Sequence, residues 1–119
     1  MSLRKREKHD CAVRAVSFAV GVPYRVAHAA LKEAGRKSRK GTHDETIFAA
    51  LAYLGVRVRI HPIHKSATYK DITNWVGRLP ACLIGTVDHV FAAVDGVRVD
   101  ESKMSAKVEW IAEIIRDRA

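Results

Sequence analysis

Two cysteines, six histidines and thirteen acidic residues are the pool from which this 119-residue chain could build a reactive site. Cys11 stands out first. It opens an apolar run, residues 11–20, that only Arg14 and Ser17 interrupt, and a helix without a polar face is one buried among neighbours. A thiol in the first turn of such a helix meets unpaired backbone N–H groups and the positive end of the helix dipole, which favour the thiolate. The same N–H groups can hold the oxyanion that forms when a thiolate attacks a carbonyl. The charge of Asp10 opposes this, less so if its carboxylate turns away to cap the helix.

A thiolate nucleophile needs a base held in place. His89 begins an apolar segment, residues 89–94, and Asp95-Gly96 is the strongest short hairpin signal in the chain. With a two-residue loop Val94 faces Val97, Phe91 faces Asp100 and His89 faces Ser102. Residues 89, 91, 93, 98, 100 and 102 then share one face of the hairpin. His89 and Asp100 become diagonal neighbours, roughly 5–8 Å apart at Cβ, within reach of a side-chain hydrogen bond. Asp95 lies about 20 Å from His89 along an extended strand, too far, and Asp88 points to the opposite face. By this geometry Asp100 is the orienting partner.

The elements that must position these residues follow from periodicity. Asp10 is a fitting N-cap for the first helix, and Gly21 with Pro23 ends it. A second helix is expected over residues 23–34, stopped by Gly35. Thr42 and Glu45 have capping-box spacing and open a third helix to Leu54, with Ile47, Phe48 and Leu51 inward. Val56, Val58 and Ile60 alternate with Arg57, Arg59 and His61, the pattern of a half-buried strand. Tyr69, Ile72, Trp75 and Val76 fit a fourth helix, residues 81–86 a short apolar strand, and Val108, Ile111, Ile114 and Ile115 a C-terminal helix. Strands adjacent in sequence favour an antiparallel sheet, so the class expected is α+β, with N-terminal helices packed on a small antiparallel sheet.

At this point the residues resemble a family. Asp10-Cys11-Ala-Val-Arg-Ala, a long gap, then Gly85-Thr-Val-Asp-His89-Val-Phe-Ala-Ala-Val-Asp-Gly-Val-Arg-Val-Asp100 is similar to the papain-like cysteine peptidase fold. Within it the chain resembles small phage or prophage proteins related to the bacteriocin-leader peptidase domains of export transporters. The resemblance implies a Cys that opens the central helix, a His that begins a sheet strand and an Asp on the next strand, in one papain-like domain over residues 10–119 behind a basic N-terminal segment, residues 1–9. It also implies a Gln shortly before the Cys to complete the oxyanion hole, and this chain contains no Gln. Lys5, Arg6, Lys8 and His9 occupy that region, and Asn74 is a donor from elsewhere. Losing one oxyanion donor costs ~10²–10³ in rate in well-studied enzymes.

Composition bounds the remaining choices. Hydrophobic residues make up 48% and charged residues 29%, a globular balance rather than a disordered one. No apolar run approaches the ~20 residues that span a bilayer, and the N-terminus lacks a secretory pattern, so a cytoplasmic protein is expected, in a bacterial host if phage-encoded. Two cysteines make neither a disulfide framework nor a four-ligand zinc site. Cys82, inside an apolar strand, is read as core, His28 and His43 as structural or solvated, and His61 and His64, which flank Pro62-Ile63 without a third and fourth ligand, as a surface turn rather than a metal pair. Trp75 and Trp110 occupy core-like helical positions. The net charge of +8 suits an acidic peptide or protein partner, with nucleic acid less favoured. The leading expectation is a cofactor-free, metal-free cysteine hydrolase acting on a peptide or isopeptide-type amide, with Cys11 as nucleophile, His89 as base and acid, and Asp100 fixing the imidazole. The alternatives are a phage-encoded binding or regulatory protein that keeps the fold without the chemistry, and a basic nucleic-acid-binding domain.

Overall fold

A computed structural model describes residues 11–35, 44–86, 89–99 and 103–115. These form α1 (Cys11–Val20), α2 (Tyr24–Glu33), α3 (Asp44–Tyr53), β1 (Arg57–His61), α4 (Tyr69–Val76), β2 (Ala81–Thr86), β3 (Val90–Val94), β4 (Val97–Val99) and β5 (Val108–Ile115). The class is α+β. All strand pairs are antiparallel, in the order β1-β5-β2-β3-β4. No helix among the described residues is long and apolar enough to cross a membrane.

The central strands β5, β2 and β3 are buried on both faces. Ala81, Leu83, Val90, Ala92, Trp110, Ala112 and Ile114 join the core beneath α1, α2 and α3. Their neighbours in sequence, Cys82, Ile84, Phe91, Ala93 and Ile111, join a second core with Tyr69 and Val76 of α4. Successive strand residues point to opposite faces, so these are two layers of helix with the sheet between them. That arrangement explains why β2 is buried at all six positions, and why its sequence shows no polar alternation.

The segment 108–115 corrects the expected C-terminal helix. It is a strand at the interior of the sheet, between β1 and β2. Gly85 pairs with Trp110 but Thr86 pairs with Val108, which leaves Glu109 as the extra residue of a bulge. The bulge turns Val108 onto the same face as Ile111, three residues on, and so imitates helical spacing. Valine and isoleucine favour a buried strand, and covering both faces removed the alternation that would have identified one.

Elsewhere the elements lie where periodicity put them, within a residue or two. Every α1 residue is buried or half-buried, as an apolar surface interrupted only by Arg14 and Ser17 requires. The Asp95-Gly96 turn has φ of 50° and 84° at its two central residues, the two positive values of a type I′ hairpin turn, and Val94 pairs with Val97. The proposed cap at Asp10 and the box residue Thr42 lie outside the described residues. A cap is present instead at α4, where the backbone N–H and hydroxyl of Thr68 both donate to Asp71 Oδ2, at 2.8 and 3.1 Å.

Two predictions follow from this packing. The indole of Trp110 lies so close over Gly85 that a Cβ there would overlap its Cε2 and Nε1 atoms. Gly85→Ala should therefore cost about 1–3 kcal/mol in urea unfolding, and pairing it with Trp110→Leu should recover part of the loss. Donation from Thr68 holds the Asp71 carboxyl below its ordinary value of 3.8. The carboxylate therefore supports α4 fully above that value, and the support is lost as pH falls through the lowered native value. Asp71→Asn should flatten the acid limb of a stability–pH curve.

Candidate functional site

Cys11 lies in α1, half-buried, and packs against the core shared by α1, α2 and α3 with one face of the sheet. The helix it opens lies against β3 more closely than against any other strand. His89 directly precedes β3. Its carbonyl accepts hydrogen bonds from the Thr86 backbone N–H at 2.8 Å and the Thr86 hydroxyl at 3.1 Å. These bonds close the connection from β2 to β3 and fix the backbone from which the imidazole projects.

The hairpin register matches the one read from the sequence. Ala92 pairs with Val99, Ala93 with Arg98 and Val94 with Val97. Asp100 lies outside the described residues, as do Lys5 and His9. The described members of the anticipated shared face, His89, Phe91, Ala93 and Arg98, do share it. The His89 ring stacks on Phe91 with centroids 6.0 Å apart and planes 19° from parallel. Arg98 donates to the Thr73 carbonyl at 2.7 Å and sits over the Tyr69 ring.

That face is the one α4 covers, whereas α1 covers the other. A sulfur–imidazole contact between Cys11 and His89 must therefore be made round the end of β3 and not across the sheet. Asn74 is exposed on α4, on the far side of the sheet from α1, and is not brought to Cys11.

The second thiol has a different environment. Cys82 is fully buried on the α4 side. Burial pushes its thiol up to about 12, with the charge of Glu113 adding to the effect, while a hydrogen bond with the Ala93 backbone and the charge of Arg98 oppose it. It is a neutral core thiol, as its apolar strand suggested. Neither cysteine is in a disulfide.

One polar contact was not legible in the sequence. His61 is not part of a surface turn: it sits on β1 with Nε2 2.9 Å from Glu113 Oε1, each side chain about four-fifths buried. The Trp75 ring meets it edge-on at 4.8 Å. Glu113 is invisible as a partner while residues 108–115 are read as a helix, because the contact exists only when β5 pairs with β1. His64 is exposed, its Nδ1 2.8 Å from the Ser66 hydroxyl.

The two thiols should separate in a titration of the folded chain with a disulfide reagent at pH 8. Cys82 should stay silent until denaturant is added, so at most one equivalent should react under native conditions. No family model matches this chain, and no curated protein and no solved structure matches it.

Proposed function

We propose that the protein is a small papain-like cysteine hydrolase that cleaves a peptide or isopeptide-type amide, in the cytoplasm of a bacterial host. Cys11 is the nucleophile, His89 takes the thiol proton and returns it to the leaving amine, and Asp100 fixes the imidazole tautomer. The observation that carries this reading is that the helix containing Cys11 lies against β3, the strand that His89 leads. The hairpin register supports it, since the pairing through Ala92 and Val99 is the one from which His89 and Asp100 were read as diagonal neighbours. The contrast with Cys82 supports it as well, because a thiol at a helix start is disposed to ionise and one buried in a sheet is not. With a net charge of +8, the favoured substrate is an acidic protein segment.

A second reading is favoured by the position of the His89 ring beside Phe91, on the face turned away from α1. It is a phage-encoded regulatory protein that keeps the fold and binds a partner without turnover.

Alkylation by iodoacetamide across pH distinguishes them. A hydrolase should show Cys11 reacting well below the pH expected of a free thiol with a pKa of ~8.5. His89→Ala should lower any amide cleavage by ~10²–10⁴, and Cys11→Ala should abolish it. Cys11 reacting no faster than a free thiol removes the nucleophile, and a Cys11→Ala chain with full biological effect establishes the binding protein.

A further inference from the structure

We propose that the outer edge of β1 is a docking edge for an extended acidic segment of a partner protein, which joins the sheet as an added antiparallel strand. β5 and β2 separate this edge from β3, a distance of about 14 Å at the ordinary strand spacing. The inference therefore holds whether or not Cys11 turns over.

Two strands end the sheet, β1 and β4. β4 has three residues, too few to template another strand. β1 has five, and its backbone is open. Among the described residues, no backbone N–H or C=O of Val58, Arg59, Ile60 or His61 bonds outside the ladder with β5. In an antiparallel ladder alternate residues turn both backbone groups toward the partner strand, and the residues between turn theirs away. The outer edge of β1 thus presents donors and acceptors to solvent, the surface that strand addition uses.

The side chains select the strand that fits. Val58 packs against the core beneath the three helices. Ile60 stands opposite Ala112 of the same core, yet it is 49% exposed, so the helix layer stops short of it. On the other face of the strand Arg57 and Arg59 are both exposed. Arg59 lies across from Glu113, but the Glu113 carboxylate is engaged by His61. Arg59 makes no ion pair among the described residues.

An incoming strand that continues both patterns carries apolar side chains beside Val58 and Ile60 and carboxylates beside Arg57 and Arg59, alternating with a period of two. The arginines decide against a second copy of this chain. In full antiparallel overlap of two β1 edges Arg59 would stand opposite Arg59, and like charges so placed are destabilising. A nucleic-acid backbone has no row of N–H donors for the outward carbonyls and nothing apolar for Ile60, so an acidic protein strand is the better fit.

The test uses the full ¹⁵N-labelled chain and the peptide acetyl-Glu-Val-Glu-Val-Glu-Val-Glu-amide at about 150 mM salt, where distant charges are screened. The peptide should bind saturably and shift the β1 amide resonances. Acetyl-Glu-Glu-Glu-Glu-Val-Val-Val-amide, of the same composition, should bind about tenfold more weakly, because it cannot match both faces of the strand. N-methylation of the peptide's Val residues and N-methylation of its Glu residues should differ about tenfold in effect, since only one set turns its N–H toward β1. Arg57→Glu/Arg59→Glu should weaken binding about tenfold, two favourable cross-strand charge pairs having become repulsive. If that variant does not fold, the N-methylated peptides decide on the unaltered chain. No saturable binding, equal affinity for the two sequences, equal effects of the two N-methylations, shifts that avoid β1, or unchanged affinity of the folded double variant overturns the proposal. So does a chain that sediments as a dimer with its β1 amides already protected, and so does tighter binding of a short oligothymidylate to the same amides.

Discussion

Pairing of β5 with both β1 and β2 is the interaction on which the sheet depends. β1 follows the three-helix layer, β2 follows α4, and no hydrogen-bonded ladder joins them directly. β5 comes last in sequence and fills the space between, matching Ile111 to His61 on one side and to Ile84 on the other. Without it β1 has no strand partner, and the sheet surface under α1, α2 and α3 loses Trp110, Ala112 and Ile114. These are contacts of long sequence separation, whose loop entropy must be overcome before the pairing is rewarded. The layer that carries Cys11 therefore rests on a surface completed by the last strand.

Within β5, the bulge at Glu109 divides the strand into two registers. Beyond it Trp110, Ala112 and Ile114 face the three-helix layer, while Val108 on the other side of the bulge faces α4 with Ile111. An unbulged strand would put Val108 and Trp110 on one face and leave either the indole or the valine on the wrong core. Glycine at position 85 is the counterpart of that choice, because the register that brings the indole to this row leaves no volume for a side chain beneath it. One irregularity in backbone pairing thus decides where the largest side chain of the strand lies and where its N–H ends up.

The same layering separates two kinds of chemistry. The α4 side holds groups that are paired or neutralised: Cys82 with its thiol pushed to about 12, Glu113 bonded to His61, and Arg98 bonded to the Thr73 carbonyl. The α1 side holds a half-buried thiol at a helix start and a buried indole N–H that meets no acceptor among the described residues.

The sequence by itself determined the elements whose periodicity was undisturbed, and it determined the hairpin. Helix α1 was legible because ten residues in a row lacked a polar face, and the β3–β4 register because Asp95-Gly96 admits two positive φ angles in succession. Those local facts were enough to bring Cys11, His89 and Asp100 together as candidates. Only the tertiary structure decided that residues 108–115 form a strand, that His61 has Glu113 for a partner, and that Trp110 sits over Gly85. In each case the reason is the same: burial on both faces and a bulge erase the alternation that marks a strand, and a cross-strand contact has no signature in a chain whose two strands lie about fifty residues apart.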